Sequence, residues 1–104
     1  MTATGVPPLT IDLVFLGPLR YKLGRKEERL MLAPPVTVRD VLDQLVALHG
    51  THLTDLFFNQ YGWLDPRLLV LIDGETAAAL GGLEAPLTGT ERIEMVLGVS
   101  MSGG

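Results

Sequence analysis

The stretch "TVRDVLDQLVALHG" (residues 37–50) decides how the rest of the chain is read. Val38, Val41, Leu42, Leu45 and Leu48 recur at helical spacing and form one apolar stripe, while Arg39, Asp40, Asp43 and Gln44 take the opposite face. Thr37 is a natural N-cap, and Asp40 three residues later approximates a capping box. Gly50 stands where such a helix ends. The spacing predicts one amphipathic helix, and its apolar face needs a surface to cover it.

The flanking segments supply that surface. Upstream, "LTIDLVFLG" (9–17) alternates, with Ile11, Leu13 and Phe15 on one side and Thr10 and Asp12 on the other; Val14 and Leu16 make its later part apolar on both faces. "RLMLA" (29–33) reads as a second short strand, stopped by Pro34-Pro35. The intervening "GPLRYKLGRKEE" reads as turn and loop, so the two strands are expected to pair antiparallel. Downstream, Leu53, Leu56 and Phe57 suit a short helix on the core, and Tyr61 to Pro66 an irregular loop. The aromatics there read as satellite core, with Trp63 also suited to a partner surface. "LLVLIDG" (68–74) is an apolar run expected to be buried on both faces in mid-sheet, closed by a tight Asp73-Gly74 turn. "ETAAALGGLEAPLTGTE" (75–91) is expected to wrap the sheet, anchored by Leu83 and Leu87; Gly81-Gly82 reads as turn chemistry, without the strand–turn–helix context of a phosphate loop. "RIEMVLGV" (92–99) alternates again, with Ile93, Met95 and Leu97 facing together. The order is β–β–α–short α–β–loop–β, an α+β domain over 1–104 in which a mixed sheet wraps one main helix: the β-grasp arrangement.

Composition narrows the chemistry. With 104 residues and 47% apolar content the chain suits one folded core, and no apolar run approaches the length that spans a bilayer. The opening "MTATGVPPLT" does not resemble a secretory signal, so a cytoplasmic location and no membrane partner are expected. A net charge of −4 argues against nucleic acid as a partner. The absence of cysteine excludes disulfides, iron–sulfur ligation and a cysteine nucleophile within the chain. His49 and His52 lie close together in "HGTH" without a third ligand type, so no metal is expected; a helix C-terminus accounts for them. Five of the eight basic residues, Arg20, Lys22, Arg25, Lys26 and Arg29, crowd into ten positions, which reads first as a solvated loop and second as a surface for an acidic partner.

The sequence closes on "VLGVSMSGG", an apolar strand-like run followed by two glycines. Glycine orders at the highest entropic cost of any residue, so the pair adds nothing to stability. Lacking Cβ atoms, Gly103 and Gly104 suit passage of the backbone through a narrow channel.

Three pieces of this sequence resemble the ubiquitin-like sulfur-carrier family, in particular the small subunit of molybdopterin synthase. They are "TVRDVLDQLVALHG", "LLVLIDGE" and the ending "APLTGTERIEMVLGVSMSGG"; "LTIDLVFLGPLRYKLG" is also similar to the family's opening. The resemblance covers most of the chain apart from 1–8 and 51–67. It implies a protein co-substrate rather than an enzyme: an E1-like adenylyltransferase spends ATP to adenylate Gly104, and a sulfur donor protein converts the adenylate to a thiocarboxylate. The molybdopterin synthase large subunit, carrying the catalytic groups, then uses that sulfur in molybdenum cofactor biosynthesis. No cofactor bound to this chain is implied. Val99, Ser100, Met101, Ser102 and Gly103 would form a flexible tail over 99–104 held by these partners as an added strand. Val14, Leu16, Val70 and Val96 are candidates for an apolar docking face. The chain departs from the family in lacking a Pro-Pro-Val type segment before the glycines, having Leu97, Gly98 and Val99 there. Carriers for thiazole formation or tRNA thiolation, and ubiquitin-like protein modifiers, therefore stand as alternatives. A ubiquitin-like interaction module with no terminal chemistry is the reading from another class.

Overall fold

A computed structural model describes residues 7–98. The apolar stripe of residues 37–50 forms the helix α2, Val38–His49. Its capping box is fully formed, with the Asp40 N–H donating to Thr37 Oγ1 and the Thr37 N–H donating to Asp40 Oδ2 at 2.8 Å. Val38, Val41, Leu42 and Leu45 are buried, but Leu48 is 51% exposed, because the stripe turns away from the sheet in the last turn. Val46 packs against the core there instead.

The sheet contains β1 (Leu9–Leu16), β2 (Glu27–Leu32), β4 (Leu68–Ile72), β5 (Glu75–Thr76) and β7 (Arg92–Leu97), in the order β2-β1-β7-β4-β5. β1 pairs antiparallel with β2 and parallel with β7, and β4 pairs antiparallel with β7. This is the expected β-grasp, with the last strand in the middle. Ile11, Leu13 and Phe15 of β1, Leu68, Val70 and Ile72 of β4, and Ile93, Met95 and Leu97 of β7 join the α2 stripe in one core. A second, two-stranded piece joins β3 (Val36–Thr37) to β6 (Pro86–Leu87) beside the start of α2.

Two expectations are corrected. The segment after β1 is not all loop: Pro18–Leu23 forms a short helix, α1, with Leu19 and Leu23 buried at i and i+4. Proline at the first helical position needs no N–H donor, so Pro18 starts this helix within a stretch that reads as turn and loop. The run 68–72 is not covered on both faces; it alternates, with Leu69 exposed and Leu71 half-buried on the side away from α2. The following turn is as expected, with Asp73 and Gly74 both at positive φ (51° and 87°), the pattern of a two-residue hairpin.

Residues 51–57 form a 3₁₀ turn, Thr51–Leu53, running into α3, Thr54–Phe57; Leu53 and Phe57 are fully buried and Leu56 packs beside them. The segment 75–91 wraps the sheet with Leu83 and Leu87 inward. It enters β7 through a turn in which the Glu91 carboxylate accepts from the N–H groups of Thr88 and Gly89 and from the Thr88 hydroxyl. Burial disfavours the Glu91 charge, yet these bonds outweigh it and hold its pKa below the ordinary carboxylate value.

Truncation separates the two ends of the α2 stripe. Leu45→Ala should cost about 2–5 kcal/mol in chemical denaturation, whereas Leu48→Ala should stay within roughly 0.5 kcal/mol of the native protein.

Candidate functional site

The expected site residues Val99, Ser100, Met101, Ser102, Gly103 and Gly104 lie outside the described residues. What the structure defines is the end of the sheet from which they depart. The β4–β7 ladder continues one step past Leu97, where the Gly98 N–H donates to the Arg67 carbonyl at 2.6 Å. The approach is close: a Cβ on Gly98 would stand 3.2 Å from that oxygen. The residue preceding Arg67 is Pro66, which has no N–H with which to continue the ladder.

Arg67 is itself fixed by the segment 51–67. Asp65 is 8% exposed; its Oδ1 accepts from the Arg67 N–H at 2.8 Å and from Arg67 Nε at 3.0 Å, and its Oδ2 from the other guanidinium arm at 3.1 Å. The Asp65 N–H donates to the Phe57 carbonyl, so this bracket is tied to a fully buried aromatic of the core. The Arg67 side chain holds the Asp65 carboxyl below its usual range, against the opposing effect of burial.

Around this exit the outer sheet face is apolar. Leu16, Val96 and Leu69 stand side by side across β1, β7 and β4, with Val14 and Leu71 flanking Glu94 in the next row. Farther along the strands the same face is charged, with Arg29 paired to Asp12 at 2.7 Å and Arg92 to Glu94. Of the four docking candidates, Val14, Leu16 and Val96 lie on this face, half-buried. Val70 does not: it is 3% exposed within the core, and Leu69, 42% exposed, holds the outward position one residue earlier. In an all-apolar strand, composition does not reveal which parity faces outward.

Leu69 also lines a cleft of about 600 Å³ with Trp63, Leu64, Pro66 and Leu83. Trp63 is 68% exposed and stacks obliquely on an equally open Tyr61, so these two aromatics are not core, in contrast to Phe57. The histidines do not converge: His49 closes α2 with Nε2 2.7 Å from Glu28 Oε1, and His52 lies in the next turn. Among the described residues no three His, Asp or Glu side chains are grouped as a metal site would require. No helix of the described residues is long and apolar enough to cross a membrane.

No protein-family model matches the sequence, and no curated protein matches it. Solved structures do match in fold. SAMP1 from Haloferax volcanii superposes with a TM-score of 0.73 at 24% identity, over 88% of this chain and 97% of that one. The HVO 2177 protein of the same organism gives 0.79 at 22%, over 97% and 93%. A Pyrococcus furiosus protein assigned as molybdopterin converting factor, subunit 1, gives 0.69 at 15%, over 88% and 99%. The shared feature is the ubiquitin-like β-grasp fold.

Because folding lowers the pKa of Asp65, the stability it contributes is fully present above the unfolded carboxylate value, near 4, and is lost as pH falls through the folded one. Asp65→Asn should be less stable than the native protein at pH 7, and urea midpoints should converge below about pH 4. A gap independent of pH would mean that the Arg67 pair contributes nothing.

Proposed function

We propose that this chain is a ubiquitin-like carrier whose reacting group is the carboxylate of Gly104. The observation that supports the reading is the way β7 ends. A strand paired on both sides delivers the chain at Gly98, beside an apolar patch, six positions before Gly104, the second glycine of the Gly-Gly pair. A docked body and a narrow, extended terminal segment are what a partner needs to bring a peptide carboxylate into a closed active site.

The chemistry requires activation first. The carboxylate of Gly104 is ionised at neutral pH and is a poor electrophile. An E1-like adenylyltransferase joins it to the α-phosphate of ATP with release of pyrophosphate. The persulfide of a sulfur donor protein then displaces AMP to give an acyl disulfide, and a thiol cleaves the S–S bond, leaving the thiocarboxylate and a disulfide on the donor side. Gly103 and Gly104 let the channel close on the backbone, while Val99, Ser100, Met101 and Ser102 offer main-chain groups for strand addition and Met101 an adaptable apolar contact. This chain contributes the carboxylate and the docking face; ATP binding and catalysis belong to the partners.

The preferred destination of the sulfur is molybdopterin synthesis, with this chain as the small subunit beside a molybdopterin synthase large subunit in the cytoplasm. The fold likeness to a molybdopterin converting factor subunit is in keeping with it. The likeness to a small archaeal modifier protein, with a TM-score of 0.72 at 23% identity, favours a second reading, in which the adenylate ends as an isopeptide bond to lysines. Co-purification with a synthase large subunit selects the first; a ladder of conjugates on a denaturing gel selects the second.

Incubated with ATP and the host's E1-like enzyme, the native protein should support pyrophosphate exchange. Removal of Gly103 and Gly104 should abolish the exchange while leaving thermal unfolding unchanged. Exchange that survives the deletion would return the chain to the class of interaction modules.

A further inference from the structure

The eight lysines and arginines are unequally engaged. Arg25, Arg29, Arg39, Arg67 and Arg92 each form an ion pair with a carboxylate of the same chain. Among the described residues Arg20, Lys22 and Lys26 form none, and they lie on α1 and in the turn after it. In a chain of net charge −4 with 12 carboxylates, the unpaired positive charge is gathered at one place.

That place is defined by packing. Leu19 and Leu23 pin α1 to the core, leaving Arg20, Tyr21 and Lys22 on its outer side. Tyr21 is 78% exposed, with the Arg20 guanidinium 5.5 Å from its ring centroid. α1 begins just beyond Leu16, which stands beside Val96, and it packs against β7. The basic helix therefore flanks the same sheet end that carries the apolar row Leu16–Val96–Leu69 and the exit at Gly98. An apolar centre with a charged rim is the anatomy of a protein interface. Exposed tyrosine and arginine are the residue types that most often anchor one.

We propose that α1 and the following turn, through Arg20, Tyr21, Lys22 and Lys26, dock a carboxylate-rich protein surface bordering the entrance that receives the C-terminal segment. Assigning that surface to the activating enzyme rests on the Gly104 reading; the charge complementarity does not. Opposite charges steer encounter and fix orientation more than they add affinity, so the contribution lies in the association rate and in the registration of the exit with the entrance. A nucleic acid or anionic membrane would meet the same cations but also the acidic remainder of the chain.

The test is a triple charge reversal, Arg20→Glu, Lys22→Glu and Lys26→Glu, at side chains outside the core. By stopped-flow, association of the native protein with the host's E1-like enzyme should slow as salt is added. The variant should associate about tenfold more slowly at low salt, with little salt dependence, and with its melting temperature unchanged. Equal association rates for the two proteins overturn the proposal. If the native protein neither binds the enzyme nor becomes adenylated, the Gly104 reading fails, and the patch is judged with a fluorescent octaglutamate peptide. Salt-sensitive binding that the variant loses supports the patch, and no difference between the two proteins overturns it. Tighter binding to duplex DNA or to phosphatidylserine vesicles than to octaglutamate also overturns it.

Discussion

The constraint on which the rest of this structure depends is the position of β7 between β1 and β4. The parallel pairing of Asp12–Leu16 with Arg92–Val96 joins the two ends of the chain, and a parallel neighbour needs a long crossover between its strands. Here α2 lies within that crossover and buries its stripe against the sheet. Such non-local pairing forms only after distant segments have met, so the core is closed by the strand that leads to Gly98. One element therefore carries two demands. Ile93, Met95 and Leu97 belong to the core, and the residue immediately after them must leave it.

The departure is managed by the loop that precedes β4. Asp65, anchored through its N–H to the Phe57 carbonyl, orients Arg67, and the Arg67 carbonyl receives Gly98. Pro66 cannot extend the ladder further. The segment 51–67, which lies outside the family resemblance, is thereby tied to the place where the terminal residues begin. The outer face is divided to match: ion pairs at the far end of the strands, and apolar Leu16, Val96 and Leu69 at the exit. On the proposed reading, a partner gripping the terminal segment would meet this apolar end, with α1 beside it.

Much of this architecture is legible in the sequence, and the exceptions have physical causes. α2 is readable because cap, box and stripe agree, and β7 because Ile93, Met95 and Leu97 alternate with Arg92, Glu94 and Val96. α1 is hidden by Gly17, Pro18 and Gly24, which read as breakers; the overlooked signal is proline at the first helical turn with Leu19 and Leu23 four apart. β4 offers five consecutive apolar residues, so its inward parity is set by register with β7, and Val70 exchanges places with Leu69. The Asp65–Arg67 bracket has no local signature beyond a common Asx turn, and its meaning comes from Gly98, thirty-one positions later. The terminal glycines are plain in the sequence, yet the chemistry proposed for them would depend on groups outside this chain.

The measurement that tests this account most directly is the intact mass of the protein purified from its native host without a C-terminal tag. A species heavier by the exchange of one oxygen for one sulfur is expected, shifted by thiol-alkylating reagent and absent when Gly104 is deleted. A single unmodified mass, persisting when the purified protein is supplied with ATP, the host's E1-like enzyme and a sulfur donor, would contradict it.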